Sequence, residues 1–342
     1  MLWNNLSFAF LLQVVWCLIP FTQTIDKKQN RESLGFHGTV GGQSSESVNI
    51  LFAAPAGQSL NYPEKSSTGV APRDVWMKAY HRAKKDGNIP ALKPSKIVDG
   101  IAVYTPGQNP CNFGSTECFR SSDILHASPG VSALSFDDGP HSTSDQLLQF
   151  LQSKSLKATH FIIGSEIQRN LQSFQNLDNA KHHFAVHTYS HPMMTSLDDE
   201  KVIGEIGWGM QAIHDNTKQK VIPKYWRPPY GDIDDRVRAI AKHVFGLETI
   251  LWDQDPKDWC LSDQNPGASA CATGRGPQTL KDLETKYKSY ANENIKKGML
   301  SLHHETSVRP IQAYKKLYSE LKSKGWAIKN IPDMLNKPWY QA

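Results

Sequence analysis

The sequence predicts an α/β fold, a parallel sheet or barrel with helices outside it, preceded by an irregular N-terminal extension. Three observations carry that prediction. From residue 132 onward, short apolar runs of strand length alternate with longer amphipathic runs of helical period. Strand after strand ends in side chains capable of chemistry, as happens when the loops that follow the strands gather on one face. Residues 26–72, by contrast, are rich in Gly, Ser, Gln and Asn and show few apolar periodicities.

Taken in order, residues 26–95 read as a flexible or weakly structured arm with one short helix at 75–83, and residues 96–342 as the main domain. Pro90, Pro94 and Pro106 punctuate an extended approach to a cysteine loop. Strands are predicted at 132–136, 158–163, 183–186, 224–226, 248–252, 299–302 and 326–329. The helices between them are predicted at 144–153, 166–177, 198–217, 233–244, 280–297 and 308–324.

A chain of 342 residues with 39% hydrophobic content can bury one large core. Its formal net charge of +5 is not gathered into a stripe, so nucleic acid is not indicated. Residues 6–19 are an apolar run interrupted by Gln13, and no charged side chain precedes Asp26. Residues 1–25 are therefore expected to be a secretory signal peptide, with a single membrane anchor as the rival reading. No later stretch reaches about 18 uninterrupted apolar residues, so no stable membrane anchor is expected. Loss of Cys17 with the signal leaves four cysteines, which allow three connectivities. The local pairs Cys111 with Cys118 and Cys260 with Cys271 are preferred, because each closes a loop rich in Gly, Ser, Asn or Pro.

The chemistry begins with Ser-Phe-Asp-Asp-Gly-Pro at 135–140. Two adjacent carboxylates, Asp137 and Asp138, need a compensating positive charge in a low-dielectric cleft, and a metal ion is the usual one. One could ligate while the other serves as a base. The same residues would also suit an ordinary turn. His187-Thr188-Tyr189-Ser190-His191 puts two imidazoles four residues apart, within reach of one ion. With a carboxylate from the first strand end, they form a set that leaves open positions for water and substrate, although two ordinary loop histidines are the bland alternative.

Arg227-Pro228-Pro229-Tyr230-Gly231-Asp232 loses two backbone donors to proline. That stiffening holds the amides of Tyr230 and Gly231 in a predictable direction, as an oxyanion site requires, while Arg227 can pair with a site carboxylate. Asp255-Pro256-Lys257-Asp258-Trp259 sets a carboxylate beside a large aromatic. Residues 299–304 end in His303-His304, and alternation along a strand puts His304 with Leu300 and Leu302 on the more apolar, inward face. An imidazole there, oriented by a carboxylate such as Asp258, would stay protonated and could act as a general acid.

In this order the five segments resemble the motifs of the polysaccharide deacetylases, the carbohydrate esterases of family four, from about residue 132 to the end. The extended run at 227–238, Arg-Pro-Pro-Tyr-Gly-Asp-Ile-Asp-Asp-Arg-Val-Arg, is similar to fungal chitin deacetylases in particular. The resemblance implies a distorted (β/α) barrel. It gives Asp137 the role of general base, Asp138, His187 and His191 those of metal ligands, and Arg227 that of orienting the base. It makes the Tyr230 amide the oxyanion donor, His304 the general acid and Asp258 its partner, and it sets Pro229, Tyr230, Trp259 and Leu302 against the substrate. A divalent metal is implied as cofactor, Zn2+ before Co2+. The implied partner is chitin or another N-acetylglucosamine polymer, deacetylated to chitosan and acetate outside the cell or in the cell wall. Ser135 stands where Thr is usual, and His160 where an aromatic is usual.

Other readings stay open from the sequence. The same site could act on peptidoglycan or acetyl-xylan, because the motifs specify the chemistry and the loops the sugar. The chain could instead bind glycan without turnover, with Trp208, Trp226, Trp252, Trp259, Tyr189 and Tyr230 as stacking platforms. A non-haem iron oxygenase also uses two His and one carboxylate, but it has no role for the Asp pair or the Arg-Pro-Pro-Tyr segment.

Overall fold

A computed structural model of the chain describes residues 51–52, 60–262, 271–272 and 274–342. The expected signal peptide lies outside them, as does most of the glycine- and serine-rich stretch. Residues 60–95, expected as a weakly structured arm with one helix at 75–83, are laid against the main domain, and the expected helix is present. Helix α1 (Asp74–Lys85) buries Trp76, Ala79, Tyr80 and Ala83 on one face, and its last turn carries Arg82, Lys84 and Lys85 where the helix dipole favours cations. An exposed hairpin follows, β1 (Lys96–Val98) with β2 (Ile101–Val103), and then the short helix α2 (Phe113–Thr116), capped by the Asn112 side chain. Both expected disulfides are present, Cys111–Cys118 around α2 and Cys260–Cys271.

β3 (Val131–Ala133) runs almost directly into β4 (Ser135–Gly139). After α3 (Ser144–Ser153) comes β5 (Thr159–Ile162), and the helix predicted at 166–177 breaks into α4 (Gly164–Arg169) and α5 (Leu171–Asn179). The break is Asn170, whose φ of −129° and ψ of 41° leave the helical region. β6 (His183–Val186) leads to α6 (Asp199–Asn216), β7 (Tyr225–Trp226), α7 (Asp235–Phe245) and β8 (Glu248–Thr249). β4 to β8 form one five-stranded sheet in sequence order, all parallel, and its strands are apolar because one face packs on helices and the other on the side chains the strands enclose.

α8 (Leu280–Ala291) stops six residues before its predicted end, where Asn292 and Asn294 favour caps over helix and Gly298 takes a φ of 73°. α9 (Val308–Ser323), β9 (Ala327–Lys329), paired in parallel with β3, and α10 (Ile331–Leu335) complete the chain. The strand predicted at 299–302 forms no ladder. Its segment makes isolated parallel bridges instead, Ser132 with Met299, Asp137 with His304 and Gln254 with Ser301. Among the described residues the barrel is therefore not a closed ladder but an open sheet whose edges meet through single bridges. Pro228 and Pro229 follow one residue after two-residue β7, and Pro256 offers no donor beside residues 299–304.

An apolar cluster that includes Ala133, Phe161, Ala185, Tyr225, Ile250 and Leu300 fills the space the strands enclose. A second cluster joins β4 to α3, α8 and α9. The largest joins β6 to α6, α7 and α1, and Trp76 lies fully buried within it. Trp76 Nε1 donates to Leu51 O at 2.9 Å, and its ring rests where a Cβ on Gly207 would come within 2.5 Å. Trp76→Ala is expected to cost about 3–5 kcal/mol in chemical denaturation. A cost below about 1 kcal/mol, typical of an exposed position, would show that α1 is a detachable appendage.

Candidate active site

Successive side chains of a strand point to opposite faces, so Asp137 and Asp138 can share a cavity only if the strand is broken between them. It is. The β4–β5 register shifts between Asp137 and Gly139, and Asp138 has a φ of 71°. Thr188, His191 and Tyr230 likewise take positive φ, of 65°, 64° and 59°. Left-handed backbone at non-glycine residues costs of order 1–3 kcal/mol each and persists where the surroundings over-determine it. Here it turns side chains from several strand ends into one cavity of about 340 Å³, lined by Asp137, Asp138, His187, His191, Tyr230, Trp259, Leu302 and His304 among others.

Asp138 Oδ1 lies 3.3 Å from His187 Nε2 and 3.2 Å from His191 Nε2, and the three ligand atoms lie within 4.8 Å of one another. His187 Nδ1 donates to the Arg227 carbonyl at 2.7 Å, which fixes the neutral ring with its Nε2 lone pair facing Asp138. Asp138 Oδ1 is buried with no hydrogen-bond partner. Ligand atoms that converge on one point are arranged for a cation, and two imidazoles with one carboxylate suit a divalent ion with open positions.

Asp137 stands beside this set but is held differently. Its Oδ1 accepts from Arg227 Nη1 at 2.6 Å, and the guanidinium, fully buried, stacks 4.0 Å above the Phe161 ring. Burial pulls the Arg227 pKa down and the Asp137 charge pushes it back up. The Arg227 guanidinium also reaches Ser135 Oγ at 3.4 Å and Leu251 O at 3.3 Å. On the other side of the cavity, His304 Nδ1 bonds Asp258 Oδ1 at 2.6 Å and its backbone N–H donates to Asp258 Oδ2 at 2.9 Å. Burial alone would lower the His304 pKa, but the charge and hydrogen bond of Asp258 raise it to about 10. His304 is thus an imidazolium at neutral pH. His303 turns the other way, as strand alternation predicts. Its Nδ1 is 2.9 Å from Tyr287 Oη, its ring packs against Phe136 and Tyr314, and burial lowers its pKa to about 4.

In the Arg-Pro-Pro-Tyr turn, the amides of Gly231 and Asp232 bond back to Pro228 O and Pro229 O, whereas the Tyr230 amide has no acceptor among the described residues. Helix α2 backs this turn closely: a Cβ on Gly114 would lie 2.8 Å from Tyr230 O. Pro228, not Pro229, faces the cavity, because Pro229 opens the buried 3-10 turn at Pro229–Gly231. Of the six proposed stacking aromatics, Trp252, Trp259 and Tyr230 line the cavity, while Trp208, Trp226 and Tyr189 are core residues.

Several site residues escaped the sequence reading. Glu205, on α6, accepts from the amides of Tyr189 and Ser190 at 3.1 and 2.7 Å and so fastens the loop between the two histidines, with burial raising its pKa to about 7. Glu305, fully buried behind the strand ends, accepts from His160 Nδ1 at 2.7 Å and Ser144 Oγ at 2.5 Å, while its own amide donates to Asp137 O at 3.2 Å. His160, noticed only as a departure at an aromatic position, was the available signal. Asp255, His141, Lys65 and Glu166 also line the cavity.

Residues 126–248 match the family model described as "Polysaccharide deacetylase". The matched region is a domain of that family. It is 39% identical over 261 residues to chitin deacetylase 3 of Cryptococcus neoformans var. neoformans serotype D, an alignment that covers 74% of this chain and 60% of that protein. It is 40% identical over 179 residues to the chitin deacetylase of Amylomyces rouxii, covering 50% of this chain and 42% of the other. The chain thus spans 60% or less of the length of these two relatives. Among solved structures, the chitin deacetylase of the fungal pathogen Colletotrichum lindemuthianum shares the fold, with a TM-score of 0.53 at 24% identity over 64% of this chain and 94% of that chain.

Glu305→Ala leaves His160 and Ser144 without their buried acceptor, so unfolding is expected to become easier by about 3–5 kcal/mol, read by denaturant titration. Glu305→Gln, which keeps the acceptor oxygen, is expected to lose less.

Proposed function

We infer that this chain is a metal-dependent hydrolase that removes acetyl groups from the N-acetylglucosamine units of chitin, giving chitosan and acetate. The observation that carries the reading is the meeting, in one cavity, of a buried carboxylate paired with Arg227, a convergent Asp-His-His set and an imidazolium paired with Asp258. The named relatives, which are chitin deacetylases, support the choice of substrate. A divalent ion held by Asp138, His187 and His191, zinc before cobalt, would acidify a bound water and polarise the acetyl carbonyl.

The protein's own residues divide the remaining work. Asp137, kept in place by Arg227, takes a proton from the attacking water as its oxygen bonds to the acetyl carbon. The free Tyr230 amide, pre-aimed by its left-handed turn, donates to the oxyanion that develops, with no reorganisation required. His304 gives its Nε2 proton to the nitrogen as the C–N bond breaks, so that an amine rather than an amide anion departs. Asp258 holds the imidazole charged and correctly turned until then. Tyr230, Trp259, Leu302 and Pro228 form the walls against which a sugar ring can pack. Two disulfides fit an oxidising compartment, and we place the protein outside the cell, in or near the cell wall. No helix of the described residues is long and apolar enough to cross a membrane.

Acetate release from N-acetylglucosamine oligomers, peptidoglycan and acetyl-xylan, each with zinc, is the direct test, and the first should dominate. Removal of metal by a chelator should abolish turnover and zinc should restore it. Asp137→Ala is expected to keep bound zinc while kcat falls by about 10²-fold or more, whereas Asp138→Ala should lose the zinc itself. His304→Ala is expected to lose activity to a similar extent with KM little changed. The assignment of the acid is overturned if His303→Ala is the more damaging of the two to kcat at unchanged stability.

A further inference from the structure

The segment at 60–72 lies outside the matched family region, yet it reaches the cavity. Its path is cut into α6: a Cβ on Gly204 would come within 1.9 Å of Val70 O, so only glycine there admits the segment. Trp208 Nε1 holds Ala71 O at 2.8 Å. Further along, Tyr62 stacks on Tyr189 with ring centroids 6.3 Å apart and donates to Asp215 at 2.7 Å. Tyr189 Oη in turn donates to Pro63 O at 2.8 Å, and the Ser66 amide donates to Ser190 Oγ at 3.2 Å. Pro63 and Ser66 are thereby tied to the loop that carries His187 and His191, and the residue between these anchors that lines the cavity is Lys65.

The Lys65 ammonium is steadied rather than cancelled. Its Nζ lies 3.0 Å from Glu166 Oε1, and Arg169 Nη1 lies 3.0 Å from the same oxygen. One carboxylate oxygen shared by two cations leaves an excess of positive charge at this corner of the cavity. Glu64, the neighbouring acid, is exposed and does not line the cavity.

Resting on the deacetylase reading above, we propose that Lys65 is a specificity-determining residue that favours sugar units still carrying their acetyl group over units already converted to the amine. An acetamide or hydroxyl oxygen can accept from Lys65, whereas a glucosamine ammonium can only be repelled by it. Specificity is a difference of affinities, and like charge at the edge of the cavity, where the Lys65 side chain is 38% exposed, supplies it by penalising the wrong partner. The consequence for the product is spacing: a freshly exposed amine disfavours binding that would place it beside Lys65.

The test uses the zinc-loaded full chain and two probes of equal length, a fully acetylated N-acetylglucosamine pentamer and the same pentamer carrying glucosamine units. The wild type should prefer the first in kcat/KM and in Kd. Lys65→Met should shrink that preference by about three- to tenfold, mainly through KM for the amine-bearing probe, and Lys65→Arg should retain it. Glu166→Gln, which removes the neutralising charge, should move the preference in the opposite direction. An unchanged ratio in Lys65→Met at wild-type zinc content and melting temperature overturns the proposal, as does an equal loss on both probes. Should the wild type release acetate from neither probe, the deacetylase reading fails, and the binding ratios still decide the role of Lys65.

Discussion

Arg227 is the constraint on which the site depends. Its side chain grips Asp137 and its backbone carbonyl holds His187 Nδ1, so a single residue at the end of β7 positions two side chains of the cavity. A guanidinium can do this while fully buried because it stays charged where an amine would surrender its proton, and because Phe161 offers a π face beneath it. The two prolines that follow cannot shift to relieve strain, and the direction of the Tyr230 amide is set by the same few residues. Such coupling makes the site accurate and also brittle, since no part of the Arg-Pro-Pro-Tyr segment serves only one purpose.

The chemistry was legible in the sequence to an unusual degree because it sits at strand ends, where a buried apolar run meets polar residues and topology alone brings distant segments together. Alternation sufficed to tell His304 from His303. The pairs that support these residues were not legible. Glu305 and His160 are 145 residues apart and meet only because β4, β5 and residues 299–305 are neighbours, and nothing in a linear pattern marks a lone glutamate as the buried partner of a strand histidine. That Pro228 rather than Pro229 lines the cavity was not legible for the same reason: the twist of a short turn decides which ring faces inward, and spacing carries no information about twist.

The N-terminal stretch misled for a different physical reason. A segment rich in Gly, Ser and Asn cannot build a core alone, and periodicity arguments therefore dismiss it. Residues 60–72 gain their order from the surface they lie on, through a groove made by absent side chains on α6 and through backbone carbonyls that accept from Trp208 and Tyr189. The glycines that make the groove are far away in sequence and, on their own helix, look only like poor helix formers.

The isolated bridge between Asp137 and His304 has a bearing on how such a protein could be regulated or could change over evolutionary time. The Asp137 amide reaches His303 O at 2.8 Å and the Glu305 amide reaches Asp137 O at 3.2 Å, so the seam of the sheet is closed by Asp137 and by the two residues that flank His304. Loosening that stitch would part acid from base before it disturbed the helices.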